Sequence, residues 1–364
     1  MKERILFRIP EVIPNMHCHS RGFRERYKTT IFQMLAEAQK SLISIMAFMP
    51  NTNPPIINFP MLEAVLKLIV RAKEKLGIIH DQYVWFGVTD NNLGMCKIAL
   101  IHPLVIGLKV YPKALGGKTV TTGKIGVMDR ITILVAMEIA RNANKPIAFH
   151  CDDPDIIAKT GGHPIEAEIE YVKKILHLAK LVPGVKIIIC HVSCRESAEL
   201  ILRAQAEGMQ VVIELCPHYL WFDSAGTNWK PGLSPAFYKC FNNLRGPEHR
   251  EFLVSLLKTD NPLIIISTDD AWHAKEEKLS LNPPGGIPSI REMVPLIVTF
   301  AVQHKISEQR VAELISFNPS KVFGIEIFRE MIGYEWEERE DDILYNGGKV
   351  VNPWNGSRLY FPVI

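Results

Sequence analysis

Short apolar, β-branched runs recur along the chain, each followed by polar residues and then by a segment whose apolar positions return every three or four residues. This pattern describes repeated strand–helix units. It predicts eight strands, at residues 12–17, 42–49, 83–88, 105–110, 146–150, 185–190, 210–215 and 263–267. Helices are expected over 27–40, 61–75, 127–142, 164–181, 197–207 and 247–257, with a short one over 93–100 and a long helical region over 289–322. Eight parallel strands alternating with helices bury both strand faces when the sheet closes on itself, whereas an open sheet leaves two edges unpaired. The expected fold is therefore an α/β protein, a (β/α)8 TIM barrel spanning residues 1–334. Beyond it, an acidic run and a segment containing glycine and proline suggest that 335–364 form a short C-terminal β-like tail, a small hairpin or partial sheet packed on the barrel. Almost no chain precedes the first strand candidate, so any small β unit is expected to be missing or reduced to that tail.

Composition narrows the class of partner. With 47% hydrophobic and 22% charged residues, the 364-residue chain has the make-up of a globular protein with a large core. Its net charge of +3 comes from scattered Lys and Arg rather than a basic stripe, which argues for a small-molecule substrate and against nucleic acid. No apolar stretch has the length of a signal peptide or a membrane span, so a cytoplasmic location is expected. Seven cysteines without framework spacing fit free thiols in a reducing compartment. Cys190 and Cys194 are spaced as a metal clip, but buried free thiols are the more common case.

Catalytic groups of such barrels sit at the carboxyl ends of the strands. The first strand candidate ends in His17-Cys18-His19, and side chains two apart on a strand point the same way, so both imidazoles face one point. Taken alone, the pair reads equally as two ordinary histidines. Lys109 lies in the otherwise apolar run Gly107-Leu108-Lys109-Val110, where an ammonium is costly unless it is paired, snorkels or is chemically altered. Carbamylation would make it an anion able to bridge two cations. The fifth, sixth and eighth candidates end near His150, His191 and Asp269. Neutral imidazoles and carboxylates are the ligands that suit zinc and similar divalent ions.

These segments resemble the dihydroorotase family of the amidohydrolase superfamily, over about residues 15–325. The resemblance is carried by Met16-His17-Cys18-His19-Ser20-Arg21, Met49-Pro50-Asn51-Thr52-Asn53-Pro54-Pro55, Lys109-Val110-Tyr111-Pro112 and Thr268-Asp269-Asp270-Ala271-Trp272-His273. It extends through Gly285-Gly286-Ile287-Pro288 and Asn318-Pro319-Ser320-Lys321-Val322-Phe323-Gly324. The resemblance implies two divalent metal ions, Zn2+ in kind, with His17, His19 and Asp269 on one, His150 and His191 on the other, and carboxylated Lys109 between them. It further implies that Arg21, Asn51 and His273 bind the substrate carboxylate and that Asp269 is the catalytic proton carrier. The reaction would be the reversible hydrolysis of dihydroorotate to N-carbamoyl-aspartate in pyrimidine biosynthesis. Family habit adds a homodimer, and loop 113–123, with Gly116, Gly117 and Gly123, would act as a lid or a plain connector.

The chain departs from the family pattern at three places. Asn15 stands where an aspartate is usual, Asp270 adds a negative charge beside the metal ligands, and Lys239-Cys240-Phe241-Asn242-Asn243-Leu244-Arg245 only partly follows the substrate-facing loop. Two rival readings stay open, another cyclic amidase such as a hydantoinase or allantoinase, and a catalytically silent structural partner. Arg21, a forked and permanently charged donor, favours an acidic substrate. His163 and His218 lie near strand ends and receive no role.

Overall fold

The computed structural model describes residues 4–114 and 125–363. Among the described residues, twelve strands form two sheets. In chain order they are β1 Arg4–Pro10, β2 Pro14–His19, β3 Ile45–Phe48, β4 Tyr83–Gly87, β5 Val105–Val110, β6 Ile147–Phe149, β7 Ile187–Ile189, β8 Val211–Leu215, β9 Ile264–Ile266, β10 Asp270–Ala271, β11 Met331–Glu340 and β12 Arg358–Pro362. The larger sheet is parallel throughout and runs from β2 to β9 in sequence order, with β10 pairing back onto β2. Because β9 and β10 are parts of one short stretch, the sheet closes, and the (β/α)8 architecture follows. All eight sequence-predicted strands are present; the first is shifted two residues towards the C-terminus, and the others match or are trimmed at their ends by up to three residues.

Two apolar layers account for the closure. Met16, Ala47, Trp85, Ile106, Ala148, Ile188, Val212 and Ile265 fill the inside of the barrel. The alternate strand residues, such as Val84, Leu108, Ile147, Ile187 and Ile213, join the helices in the larger outer core. Strands buried on both faces read as unbroken apolar runs, which is why this sequence shows runs rather than alternation. The bottom of the barrel is plugged by the helix Asn318–Phe323, whose Phe323 packs edge-on against Trp85 at 5.7 Å between ring centroids. The long helical region is divided into Met293–His304, Glu308–Ala312, a π-type turn Glu313–Phe317 and that last helix.

The sequence pattern misses β1. Its seven residues pair antiparallel with β11, which pairs with β12, so a three-stranded sheet unites the two ends of the chain. Trp336 anchors it, buried and donating to the Phe7 carbonyl at 3.1 Å. The segment between β11 and β12 returns to the barrel, where Tyr345 and Asn352 both hydrogen-bond the buried Glu292 carboxylate. Of loop 113–123, only Lys113 and Ala114 lie among the described residues. No helix of the described residues is long and apolar enough to cross a membrane.

Candidate metal centre

A bulge in the first barrel strand sets the site. The register between β2 and β3 shifts between Asn15 and Cys18, which leaves Met16 inside the barrel and Cys18 outside. His17 and His19 then project together at the top, with their Nε2 atoms 3.3 Å apart. Asp269 Oδ1 lies 3.2 Å from His17 Nε2 and 2.9 Å from His19 Nε2. Ligands about 2.1 Å from a tetrahedral cation sit roughly 3.4 Å from one another, so this triad has the spacing of a half-built metal site. All three residues are buried.

His150 and His191 form a second pair beside it, with His150 Nδ1 and His191 Nε2 2.9 Å apart and the His17 and His191 rings 5.5 Å apart. Strand alternation would turn His191 away from the centre, since Ile188 and Cys190 already face inward. A left-handed backbone at His191 (φ 40°) redirects its side chain, and Asp269, which alternation from the inward Ile265 already turns to the centre, is left-handed as well (φ 47°). Such conformations cost about 1–3 kcal/mol each in non-glycine residues and cluster at functional sites. His150 Nε2 and His191 Nδ1 are buried without a hydrogen-bond partner among the described residues. Orphaned buried ring nitrogens are expensive, and a divalent cation is the kind of partner that satisfies them.

Electrostatics agree with that chemistry. Burial pushes the His191 imidazole well below its ordinary pKa, and burial likewise lowers His150 and takes His19 to about 4. Neutral imidazoles of this kind are ready to bind a metal without first losing a proton. Burial opposes ionisation of Asp269, but the neighbouring histidines, His17 foremost, outweigh it and hold the carboxylate well below its usual range. Burial likewise works against the charged form of His17, yet Glu214 and Asp269 together keep its pKa well above normal.

Lys109 is fully buried among these groups, its Nζ 2.8 Å from Cys190 Sγ and 5.2 Å from the centre of the Tyr111 ring. Glu214 was not picked out from the sequence. Its Oε2 accepts from His17 Nδ1 at 2.7 Å and from the His191 backbone N–H at 3.0 Å. This fixes the His17 tautomer and leaves Nε2 facing the triad, the arrangement by which carboxylates orient metal-binding histidines. The signal was available, because an acid within the apolar run Val211-Val212-Ile213-Glu214-Leu215 is the same anomaly as Lys109. His17, Cys190 and Glu214 also place possible ligand atoms within 4.8 Å of one another, a second candidate group. Cys194, spaced as a clip partner for Cys190, instead hydrogen-bonds Ser197.

The residues singled out for substrate binding gather at the same mouth. Arg21 Nη2 is 3.0 Å from His273 Nε2, and Asn51 Oδ1 accepts from His19 Nδ1 at 2.6 Å, so the Asn51 carbonyl orients a triad histidine. Arg21, Asn51, Tyr111 and Phe241 line the pocket above the histidines. Two departures from the expected pattern prove structural. Asn15 exchanges hydrogen bonds with Thr268, through Thr268 Oγ1 at 2.8 Å and Thr268 N at 3.0 Å, and so ties the first barrel strand to the last. Asp270 does not add charge towards the histidines as expected. Strand alternation turns it away, its Oδ1 accepts from the backbone of Ser289 and Ile290, and burial raises its pKa to about 7. His218, fully buried, has its Nε2 3.9 Å from Asp269 Oδ2.

A closed (β/α)8 barrel with a buried histidine and carboxylate cluster at its carboxyl-terminal mouth has the make-up of a metal-dependent hydrolase. No family model matches the chain. It is 29% identical over 341 residues to the dihydroorotase of Brevibacillus brevis, a match covering 87% of this chain and 74% of that protein. The fold is similar to a dihydroorotase from Campylobacter jejuni, with TM-score 0.75, 18% identity and coverage of 98% and 97%. It is equally similar to an L-hydantoinase from Arthrobacter aurescens, with TM-score 0.78, 19% identity and coverage of 98% and 84%. In sequence and fold the chain resembles the amidohydrolase superfamily, and several of its sequence relatives are dihydroorotases.

Proposed function

We propose that the chain is a dihydroorotase, which opens the cyclic amide of dihydroorotate to N-carbamoyl-aspartate and closes it again. The observation that carries this reading is the buried Arg21 guanidinium beside His273 at the edge of the histidine cluster. A planar, permanently charged donor inside a closed site suits a planar carboxylate on the substrate ring and suits a neutral ring less well.

In this reading His17, His19 and Asp269 would hold one cation, His150 and His191 a second, and carboxylated Lys109 would be a ligand common to both. When bound, such cations polarise the ring carbonyl and bring the pKa of water to about 7. The remaining work belongs to the chain. Asp269, kept ionised by its histidine neighbours, takes a proton from the attacking water and returns it to the leaving ring nitrogen, a transfer within one hydrogen-bond length. Glu214 and Asn51 hold His17 and His19 in the tautomers that direct Nε2 inward. Arg21, Asn51 and His273 orient the substrate carboxylate so that the scissile amide lies over the cluster.

The barrel likeness to an L-hydantoinase favours a second reading, hydrolysis of a neutral five-membered cyclic amide. Purified protein should hydrolyse dihydroorotate faster than hydantoin or allantoin, lose activity on chelation and regain it with zinc, with metal content measured on the same samples. Turnover of hydantoin or allantoin without dihydroorotate would replace the first reading by the second.

A further inference from the structure

Lys278 is a buried cation with no carboxylate partner in its hydrogen bonds. It ends the short helix Lys275–Lys278 and is 4% exposed. Its Nζ donates to three backbone carbonyls, Lys239 at 2.9 Å, Pro284 at 3.1 Å and Gly286 at 3.0 Å. An ammonium has three N–H donors, so each is used, which offsets part of the cost of burying the charge. The acceptors belong to two segments far apart in sequence. Both segments furnish part of the pocket wall, through Phe241, Gly285 and Gly286.

The wall is closely fitted. A Cβ on Gly285 would lie 2.7 Å from the Phe241 ring, and one on Gly286 would lie 2.7 Å from Ala271 Cβ and 3.1 Å from His273 Cδ2. The Gly286 N–H donates to Lys239 O at 2.9 Å, so the carbonyl that receives Lys278 also receives the neighbouring segment. The Gly285 carbonyl meets His273 Nε2 at 3.1 Å. Displacement of either segment therefore moves Phe241 and His273 together. Behind Phe241, the His163 ring stacks at 4.2 Å between centroids, which fixes the far face of the phenyl ring but does not join the two segments. Lys278 does join them.

We propose that Lys278 is a positioning residue that sets substrate affinity. Through three carbonyls it locks the Phe241 and Gly285–Gly286 segments at the separation a small cyclic amide requires, without touching the substrate or the metal ligands. This rests on the cyclic-amidase reading for its kinetic expression, though not for its structural one. A side chain without donors at 278 takes one donor from each of three carbonyls, leaving Lys239 O with the Gly286 N–H alone, and loosens the wall. Binding weakens while the histidine cluster, built from β2, the ends of β6 and β7, and Asp269, keeps its geometry.

The test compares the metal-loaded parent with Lys278→Met and Lys278→Arg, using dihydroorotate, hydantoin and allantoin as probes. For whichever probe the parent turns over, Lys278→Met should raise KM about tenfold or more, with kcat within about threefold and metal content unchanged. Lys278→Arg, which restores a cationic donor, should recover most of the KM. Amide hydrogen exchange on the same proteins should quicken in Lys278→Met at 239–242 and 285–287 while the barrel strands are unchanged. An unaltered KM, or a loss confined to kcat or metal content, overturns the proposal. If the parent turns over none of the three probes, the cyclic-amidase reading fails, and exchange alone decides for Lys278. Faster exchange in both segments then supports it and unchanged exchange overturns it. If Lys278→Met does not fold, Lys278→Gln, whose two donor hydrogens leave one carbonyl without this partner, takes its place: a KM raised about threefold or more with kcat and metal content unchanged supports the proposal, and an unaltered KM overturns it.

Discussion

Replacing Glu214 by glutamine separates charge from shape at the base of the metal centre. The carboxylate Oε2 accepts from His17 Nδ1 at 2.7 Å and from the His191 N–H at 3.0 Å, in surroundings that are almost fully buried. Glutamine keeps one oxygen able to accept both and removes only the negative charge. A hydrogen bond to a charged group contributes about 1.5–3 kcal/mol, against about 0.5–1.5 for a neutral one. The charge is therefore worth about 1–1.5 kcal/mol in orienting His17 and raising its basicity, close to tenfold in affinity. Carboxylates behind metal-binding histidines are generally worth about 10–100-fold, and the His17–Cys190–Glu214 group places Glu214 close enough for the upper end. Glu214→Gln should thus bind zinc about 10–100-fold more weakly, measured by competition with a chromophoric chelator, while thermal stability in excess chelator stays near that of the parent. Glu214→Ala should additionally lose about 1–3 kcal/mol of folding stability for each donor left without an acceptor. An affinity of Glu214→Gln within about threefold of the parent would refute the assignment of Glu214 as the group that tunes His17.

Other perturbations report on neighbouring parts of the fold. In Gly107→Ala the new Cβ would stand 2.3 Å from the Pro146 carbonyl oxygen and 2.7 Å from the Trp85 ring. Backbone must move between β5 and β6, at about 1–3 kcal/mol or more, and a lower melting temperature should accompany reduced metal occupancy. Asn15→Ala leaves the buried Thr268 N–H without its acceptor, and chemical denaturation should show about 1–3 kcal/mol lost. Burial raises the Glu292 carboxyl from its ordinary 4.5 to about 7. The folded protein therefore keeps a proton that the unfolded chain releases, and stability falls as pH rises between those values. From about pH 5 to about pH 8 this contribution should decline by on the order of 2 kcal/mol. The loss of stability between the two pH values should be smaller in Glu292→Gln than in the parent by that amount, measured by urea titrations at both; an equal loss would refute the assignment.

What the chain alone determined is the part of the architecture encoded locally. Apolar β-branched runs at regular intervals specify strands buried on both faces, and eight of them in alternation with helices leave closure as the arrangement without edges. The placement of His17, His19, Lys109, His150, His191 and Asp269 at the ends of those runs was equally legible, because strand ends in such a barrel face a common mouth. The same logic failed for β1, whose charged alternation Arg4-Ile5-Leu6-Phe7-Arg8 acquires meaning only opposite β11, more than three hundred residues away. Tertiary structure also decided the supporting contacts. Glu214 becomes the partner of His17 across 197 residues, Cys190 meets Lys109 across the barrel interior, and a left-handed turn at His191 aims a side chain that strand alternation would misdirect. These depend on register, bulges and backbone twist, quantities fixed by the packing of the closed sheet as a whole and by no single segment of the sequence.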